Sequence, residues 1–439
     1  MKMKNMTMKL NTIALIIAIA LYVLSTSCTA TRVSHWRKLK AASSSTFNVL
    51  DYGAKGDGNA DDTKAFQDAW AATCKVEGST MVVPSGSVFL VKQISFSGPN
   101  CESNIVFQLD GKIIAPTNSA AWGSGSLQWL EFTKLNKITI KGKGVIDGQG
   151  SVWWNDSPTY NPTEVNLESS GRLPSTKPTA LRFYGSDGVT VTGITIQNSQ
   201  QTHLKFDSCK NVQVFDISLS SPGDSPNTDG IHLQNSQEVV IYSSTLACGD
   251  DCISIQTGCS DIYVHNVNCG PGHGISIGSL GRENTKACVR NVTVRDVTIQ
   301  NTLTGVRIKT WQGGSGSVQN VLFSNIQVSG VETPIAIDQY YCDGGRCRNE
   351  SSAVAVSSIH YVNIKGTYTK EPVYFACSDS LPCTGITLDT VQLESTKTSN
   401  VPFCWEAYGE LKTKTVPPVD CLQRGNPSSK GINSKIDSC

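Results

Sequence analysis

The sequence predicts an all-β solenoid, a parallel β-helix, on three observations. The first is composition: 39% of the 439 residues are hydrophobic, only 17% are charged, and 38 are glycine. That balance suits many short strands and turns better than long amphipathic helices. The second is a unit that recurs from residue 104 onward, a polar or turn residue followed by alternating Val or Ile. Examples are Asn104-Ile-Val-Phe, Lys137-Ile-Thr-Ile, Gly188-Val-Thr-Val, Asn211-Val-Gln-Val, Glu238-Val-Val-Ile, Asp261-Ile-Tyr-Val, Asn291-Val-Thr-Val and Asn320-Val-Leu-Phe. Each reads as a short half-buried strand. The third is an offset second family, Leu204-Lys-Phe, Ile231-His-Leu, Ile253-Ser-Ile, Ile275-Ser-Ile, Val306-Arg-Ile and Ile335-Ala-Ile, whose members start 27, 22, 22, 31 and 29 residues apart. Two strand families with one shared irregular period place each turn of chain in several parallel sheets, and a β-sandwich would not keep such a period.

Taken in order along the chain, Lys2, Lys4 and Lys9 precede an apolar run from Ile13 to Leu24 and small residues up to Ala30. Residues 1–30 read as a secretory signal peptide, because an apolar core of twelve residues falls short of the roughly twenty that span a membrane. Residues 31–45, basic and then Ser/Ala-rich, read as a disordered leader. Residues 46–439 then form one β-helical domain. Within it, Asp62 to Lys75 carries Ala65, Phe66, Ala69 and Trp70 at helical spacing, which predicts a helix able to cap the open end of a solenoid.

Sixteen cysteines are present; loss of Cys28 with the signal leaves fifteen, so one unpaired thiol is expected among disulfides formed on export. Cys342/Cys347 and Cys377/Cys383 are spaced as local staples. No zinc-type ligand spacing occurs, which argues against a structural metal. Asn155, Asn291 and Asn349 each stand in an Asn-x-Ser/Thr acceptor pattern. The formal net charge of +1 supplies no global field for nucleic acid or a membrane surface, so an anionic ligand has to be held by a few local cations.

Aligning the second strand family gives a column two residues before each strand: Thr202, Asp229, Asp251, His273, Thr304, Thr333. Stacked coils rise about 4.8 Å each, so Asp229, Asp251 and His273 should be near neighbours, with Asp250 beside them. Arg307 and Lys309 fall on outward strand positions two coils on, and Lys205, Gln234 and Gln256 fall on outward positions nearby. Glycosidic hydrolysis needs one protonated carboxyl and one ionised carboxylate, and crowding of like charges separates their pKa values. Any one of these residues alone reads as a turn or surface charge; their shared register is what points to a site. Strict alternation would turn adjacent Asp250 and Asp251 opposite ways, so the acids have to sit in the bend before the strand, where glycines permit unusual dihedrals.

Asn227-Thr-Asp229-Gly230, Gly249-Asp250-Asp251, Gly272-His273-Gly274 and Arg307-Ile308-Lys309, in that order, resemble the four signature segments of the polygalacturonases, and the stretches from Phe47 to Gly58 and from Gly270 to Gly281 resemble plant members. The resemblance covers Phe47 to the C-terminus. It implies a right-handed, pectin-lyase-like β-helix that hydrolyses α-1,4-linked polygalacturonate with inversion and without metal or cofactor. In that reading Asp250 is the general acid, Asp229 and Asp251 position and deprotonate water, and His273 supports the acid. Arg307, Lys309, Asn227 and Tyr341 hold substrate. It also implies a Cys252–Cys269 disulfide, and a secreted monomer acting on pectin in the cell wall, by endo-cleavage in preference to exo-cleavage. A pectate lyase would need calcium and a basic catalyst, rhamnogalacturonan or xylogalacturonan hydrolysis would need differently placed cations, and a wall-binding protein would release no reducing ends.

Overall fold

The structure, a computed structural model, describes residues 45–427 except 124–126, 156–175, 343–346, 348, 351–352 and 398–399. The signal peptide with Cys28, and all of the leader but Ser45, lie outside the described residues.

One sheet of eleven parallel strands carries the site. Its members are β1 (Ile94–Ser97), β2 (Gln128–Thr133), β3 (Thr179–Tyr184), β4 (Leu204–Asp207), β5 (Ile231–Gln234), β6 (Ile253–Ile255), β7 (Ile275–Leu280), β8 (Thr304–Thr310), β9 (Thr333–Asp338), β10 (Val373–Ala376) and β11 (Phe403–Trp405), stacked in chain order. The remaining strands of the coils pair in parallel as well, in a second ladder of twenty. Both predicted registers are present. Leu204, Ile231, Ile253, Ile275, Val306 and Ile335 are successive partners. So are Ile105, Ile138, Val189, Val212, Val239, Ile262, Val292 and Val321.

The polar residue that opens each unit of the first family has a backbone reason. Asn104, Lys137, Asn211, Glu238, Asp261, Asn291 and Asn320 all have φ between 52° and 60°, and Gly188 has 73°. A left-handed residue turns the chain sharply between coils, and Asn and Asp tolerate it best because their side chains bond locally. The corner residues also bond to one another, Asn211 Nδ2 to Asp187 at 2.7 Å and Asn291 Nδ2 to Asp261 at 2.9 Å.

Inward positions build the core. Phe96, Phe132, Phe183 and Phe206, one per coil, form a continuous stack with centroids 4.6, 5.3 and 5.2 Å apart. The helix α1 (Thr63–Thr73) forms as predicted and buries Phe66 against Phe89 and Trp70 against Phe96 and Phe132, covering the first coils.

Cys252–Cys269, Cys342–Cys347 and Cys377–Cys383 are bonded as expected, together with Cys74–Cys101 and Cys404–Cys421. The expectation of one free thiol is corrected: Cys209, Cys248 and Cys259 are all free and buried. Register explains two of them. Lys210 pairs Gln237, which pairs Ser260, so Ser236 separates Cys209 from Cys259 in one inward column and holds them two coils, about 10 Å, apart.

Candidate active site

The outward face of the eleven-stranded sheet bears a cleft of about 560 Å³, and all eight residues singled out from the sequence line it: Asp229, Asp250, Asp251, His273, Asn227, Arg307, Lys309 and Tyr341. Lys205 and Gln256 line it too, whereas Gln234, level with Gln256 on the neighbouring strand, does not.

Two close backbone approaches set the bend that carries the acids. A Cβ at Gly249 would lie 1.9 Å from the Ser225 carbonyl oxygen, and one at Gly230 would lie 2.4 Å from that of Cys252. Only glycine fits either place. Thr228 Oγ accepts the Gly249 N–H at 2.9 Å, and the Cys252–Cys269 disulfide ties the chain behind Asp251. The predicted conflict with strict alternation is thereby resolved, because both carboxylates precede β6 and reach the same cleft.

Asp251 is buried and fully engaged. Its Oδ1 accepts from Ser276 Oγ at 2.7 Å and from the Arg307 guanidinium at 2.9 Å, and its Oδ2 accepts from Lys309 Nζ at 2.8 Å. Arg307 and Lys309 are only 9% and 7% exposed. The sequence placed these cations two coils from Asp251, as a border for sugar carboxylates; the structure makes Asp251 itself their first partner. Such a buried pair persists only because further bonds complete it: here Ser276 Oγ donates to Asp251 and accepts from Arg307 Nε. The ammonium of Lys309 also lies 5.3 Å from the Tyr341 ring centre.

Asp250 and Asp229 are driven apart electrostatically. Burial pushes Asp250 up, but the His273 imidazole, Nδ1 to Oδ1 at 2.9 Å, outweighs it and holds the carboxyl down at about 2. Asn227 Nδ2 donates to the other oxygen at 3.3 Å. Asp229 is pushed well above the usual carboxylate range by burial and then by the charges of Asp250 and Asp251. Burial and crowding therefore raise the proton affinity of one acid, as the sequence implied of crowding, and in the free site that acid is Asp229.

Sequence reasoning passed over His232. Its Nδ1 lies 3.0 Å from Asp229 Oδ2, and burial, followed by the charge of Lys205, pulls it down to about 3, so the ring is neutral and shares a hydrogen bond with Asp229. The available signal was its outward position in β5, three residues after Asp229 and beside Lys205 in register.

An oxygen of Asp250, one of Asp251 and a ring nitrogen of His273 lie within 4.8 Å of one another, a spacing compatible with a cation. The donor set does not fit one well: both Asp251 oxygens are already neutralised by Arg307 and Lys309, and His273 Nδ1 faces Asp250.

Paired carboxyls with opposed proton affinities, on the floor of a parallel β-helix, define an acid/base hydrolase of glycosidic bonds. The comparisons agree. The model of glycosyl hydrolases family 28 matches residues 74–405. A polygalacturonase of Cryptomeria japonica is 41% identical over 89% of this chain and 74% of that one, and a polygalacturonase of Persea americana is 43% identical over 79% of this chain and 73% of that one. The endo-xylogalacturonan hydrolase from Aspergillus tubingensis superposes with a TM-score of 0.70 at 22% identity, over 87% of this chain and 99% of that one, which speaks for the right-handed β-helical fold alone. The chain belongs to glycosyl hydrolases family 28, within its plant-type polygalacturonases, and is a glycoside hydrolase.

Proposed function

We propose that this enzyme hydrolyses the α-1,4-galacturonosyl bonds of pectin by acid/base catalysis, endo-acting and with inversion at the anomeric carbon. The observation that carries the reading is the opposed displacement of Asp229 and Asp250 beside an anchored, cation-bound Asp251. Asp250 donates the proton to the leaving oxygen: entry of a sugar carboxylate adds negative charge and removes water, which raises Asp250, while half-exposed His273 resupplies its proton from solvent. Asp229 and Asp251 hold and deprotonate the attacking water. Asp251 is poorly suited to form a covalent intermediate, since Arg307, Lys309 and Ser276 hold it in place and its side chain is 3% exposed, while Oδ2, with Lys309 as its one donor, keeps a lone pair for a water proton. Inversion is taken from the family resemblance; oxygens of Asp250 and Asp251 come within 4.8 Å, nearer than the roughly 6.5–9.5 Å usual in inverting pairs, and proton NMR of the anomer first released tests it. Asn227, Arg307, Lys309 and Tyr341 contact the sugar carboxylates and hydroxyls around this centre.

A second reading makes Asp229 the donor, favoured by its raised affinity for protons. An activated nitrophenyl galacturonide decides between them, because loss of the general acid is rescued by a good leaving group and loss of the base is not. Asp250→Asn should be rescued and Asp229→Asn should not; the reverse pattern transfers the role to Asp229.

The primary test incubates the protein with de-esterified polygalacturonate, with and without EDTA, and follows reducing ends and viscosity together. A fast viscosity fall at few cleavages, insensitive to EDTA, is the expected result; monomer release with slow viscosity loss would mean exo action, and an unsaturated product would mean a lyase. Among the described residues no helix is long and apolar enough to cross a membrane. Export of residues 46–439 as a monomer to the cell wall completes the reading, and N-terminal sequencing and light scattering of the secreted protein check it.

A further inference from the structure

The outward face that forms the cleft does not stop at Lys309. Register carries Arg307 to Ala336, Tyr374 and Phe403, and carries Lys309 to Asp338, Ala376 and Trp405. Beyond the buried cations the floor thus changes character to exposed rings. Phe403 and Trp405 are 42% and 50% exposed, among the largest exposed apolar side chains described. They are held in place, not loose: Tyr374 and Phe403 stack at 5.2 Å, and Trp405 Nε1 and the Tyr340 hydroxyl both donate to the Asp379 carboxylate, at 2.8 and 3.0 Å. Exposed rings gathered and held on one face are a binding feature more often than an accident.

Acids face the rings at the floor, with Arg307 acting on Asp338 and Lys370 on Glu371 from beside them. Asp338 is the outward partner of Lys309, and Asp338 and Glu371 both lie close enough to Tyr374 to push its hydroxyl up, after burial. A galacturonate carboxylate laid here would meet acids. On the other side of the catalytic acids Arg182 is taken up between Glu131 and Asp207, which leaves Lys205, beside it in register, as a cation with no salt bridge among the described residues.

Building on the hydrolase reading above, we propose that the Tyr374–Phe403–Trp405 platform is a distal binding site for uncharged, methyl-esterified galacturonosyl units of the same polymer. Esterification removes the charge that Asp338 and Glu371 repel and adds a methyl group to the apolar contact, while the pyranose ring lies across aromatic faces. The ring positions on β10 and β11 are four and five coils, about 19–24 Å, from Asp251 on β6, a span that only a polymer reaches. The enzyme thereby reads a chain with free carboxylates at the acids and over Lys205 and with esters on the C-terminal arm.

The test compares wild type with Phe403→Ala and Trp405→Ala on three substrates: a short de-esterified oligomer, de-esterified polygalacturonate, and the same polymer partly methyl-esterified. Both replaced side chains are largely exposed, and thermal melting checks that folding is intact. The expected result is a loss of about three- to tenfold in kcat/KM on the esterified polymer, with the two de-esterified substrates unchanged. Glu371→Gln should narrow the wild-type preference from the opposite direction, by improving turnover of the de-esterified polymer. Equal losses on both polymers would overturn ester reading, and no loss on any substrate would overturn the site altogether. Absence of hydrolysis by wild type on every galacturonan would instead sink the underlying hydrolase assignment, so the two failures are separable.

Discussion

Two stacks run along the same strands, one inside the solenoid and one outside. Inside, Phe96, Phe132, Phe183 and Phe206 repeat one chemistry from coil to coil. Outside, the column Glu131, Arg182, Lys205, His232, Ser254, Ser276, Arg307, Ala336, Tyr374, Phe403 changes chemistry at nearly every step. The inner stack needs only volume and apolarity, so its members share the load and tolerate one another's variation. The outer one works through specific partners, so each member has a distinct effect when removed. A solenoid therefore separates stability from chemistry across the thickness of a single strand.

Substitutions sharpen that contrast. Asp250→Asn should give the largest effect, a fall of about 10³-fold in kcat from loss of proton transfer, with the melting temperature little changed. Reducing-end assays and a thermal melt check both halves, and retained turnover would remove Asp250 from the mechanism. Phe183→Ala should do the converse: about 3–5 kcal/mol less stability in urea unfolding, with kcat/KM per folded molecule preserved. A catalytic defect without a stability loss would break the separation of the two stacks.

Lys309→Ala lies between them, because Lys309 is outward yet buried against Asp251. It should cost about 3 kcal/mol of stability through an unpaired buried carboxylate, lower kcat, and raise KM. A change in KM alone would mean that Lys309 serves substrate without serving Asp251.

The smallest effect concerns acid. His232 is depressed to about 3 in the folded chain from the usual 6.5, so unfolding takes up a proton and stability is lost as pH falls from 6.5 toward 3. Asp250, held at about 2, loses stability over the lower window from 3.8 downward. Asp229, raised when folded, acts oppositely and loses stability as pH rises above 3.8. His232→Gln should keep the hydrogen bond to Asp229 and flatten the acid limb between pH 6.5 and 3, measured as melting temperature against pH. An unchanged limb would put the acid sensitivity elsewhere, with fully buried His203 next in line.

The sequence by itself determined the solenoid and its register, because a parallel β-helix repeats one backbone geometry and repetition is visible as a period. Ile231, Ile253 and Ile275 mark three coils, and Asp229, Asp251 and His273 must then share a column. It marked most of the left-handed corners too, in the Asn, Asp and Gly that open all units but those of Lys137 and Glu238, although their torsion is seen only in the folded chain. What only the tertiary structure decided is pairing across coils and the electrostatics that follow. Nothing in the order of residues says that Arg307 and Lys309 converge on Asp251, that His232 holds Asp229, or that proton affinity rises at Asp229 while His273 lowers it at Asp250. Nor does it say that Ser236 stands between Cys209 and Cys259 and leaves both as thiols. Period is a property of the backbone and is written locally; proton affinity and side-chain pairing depend on distance and burial, which exist only once the coils are stacked.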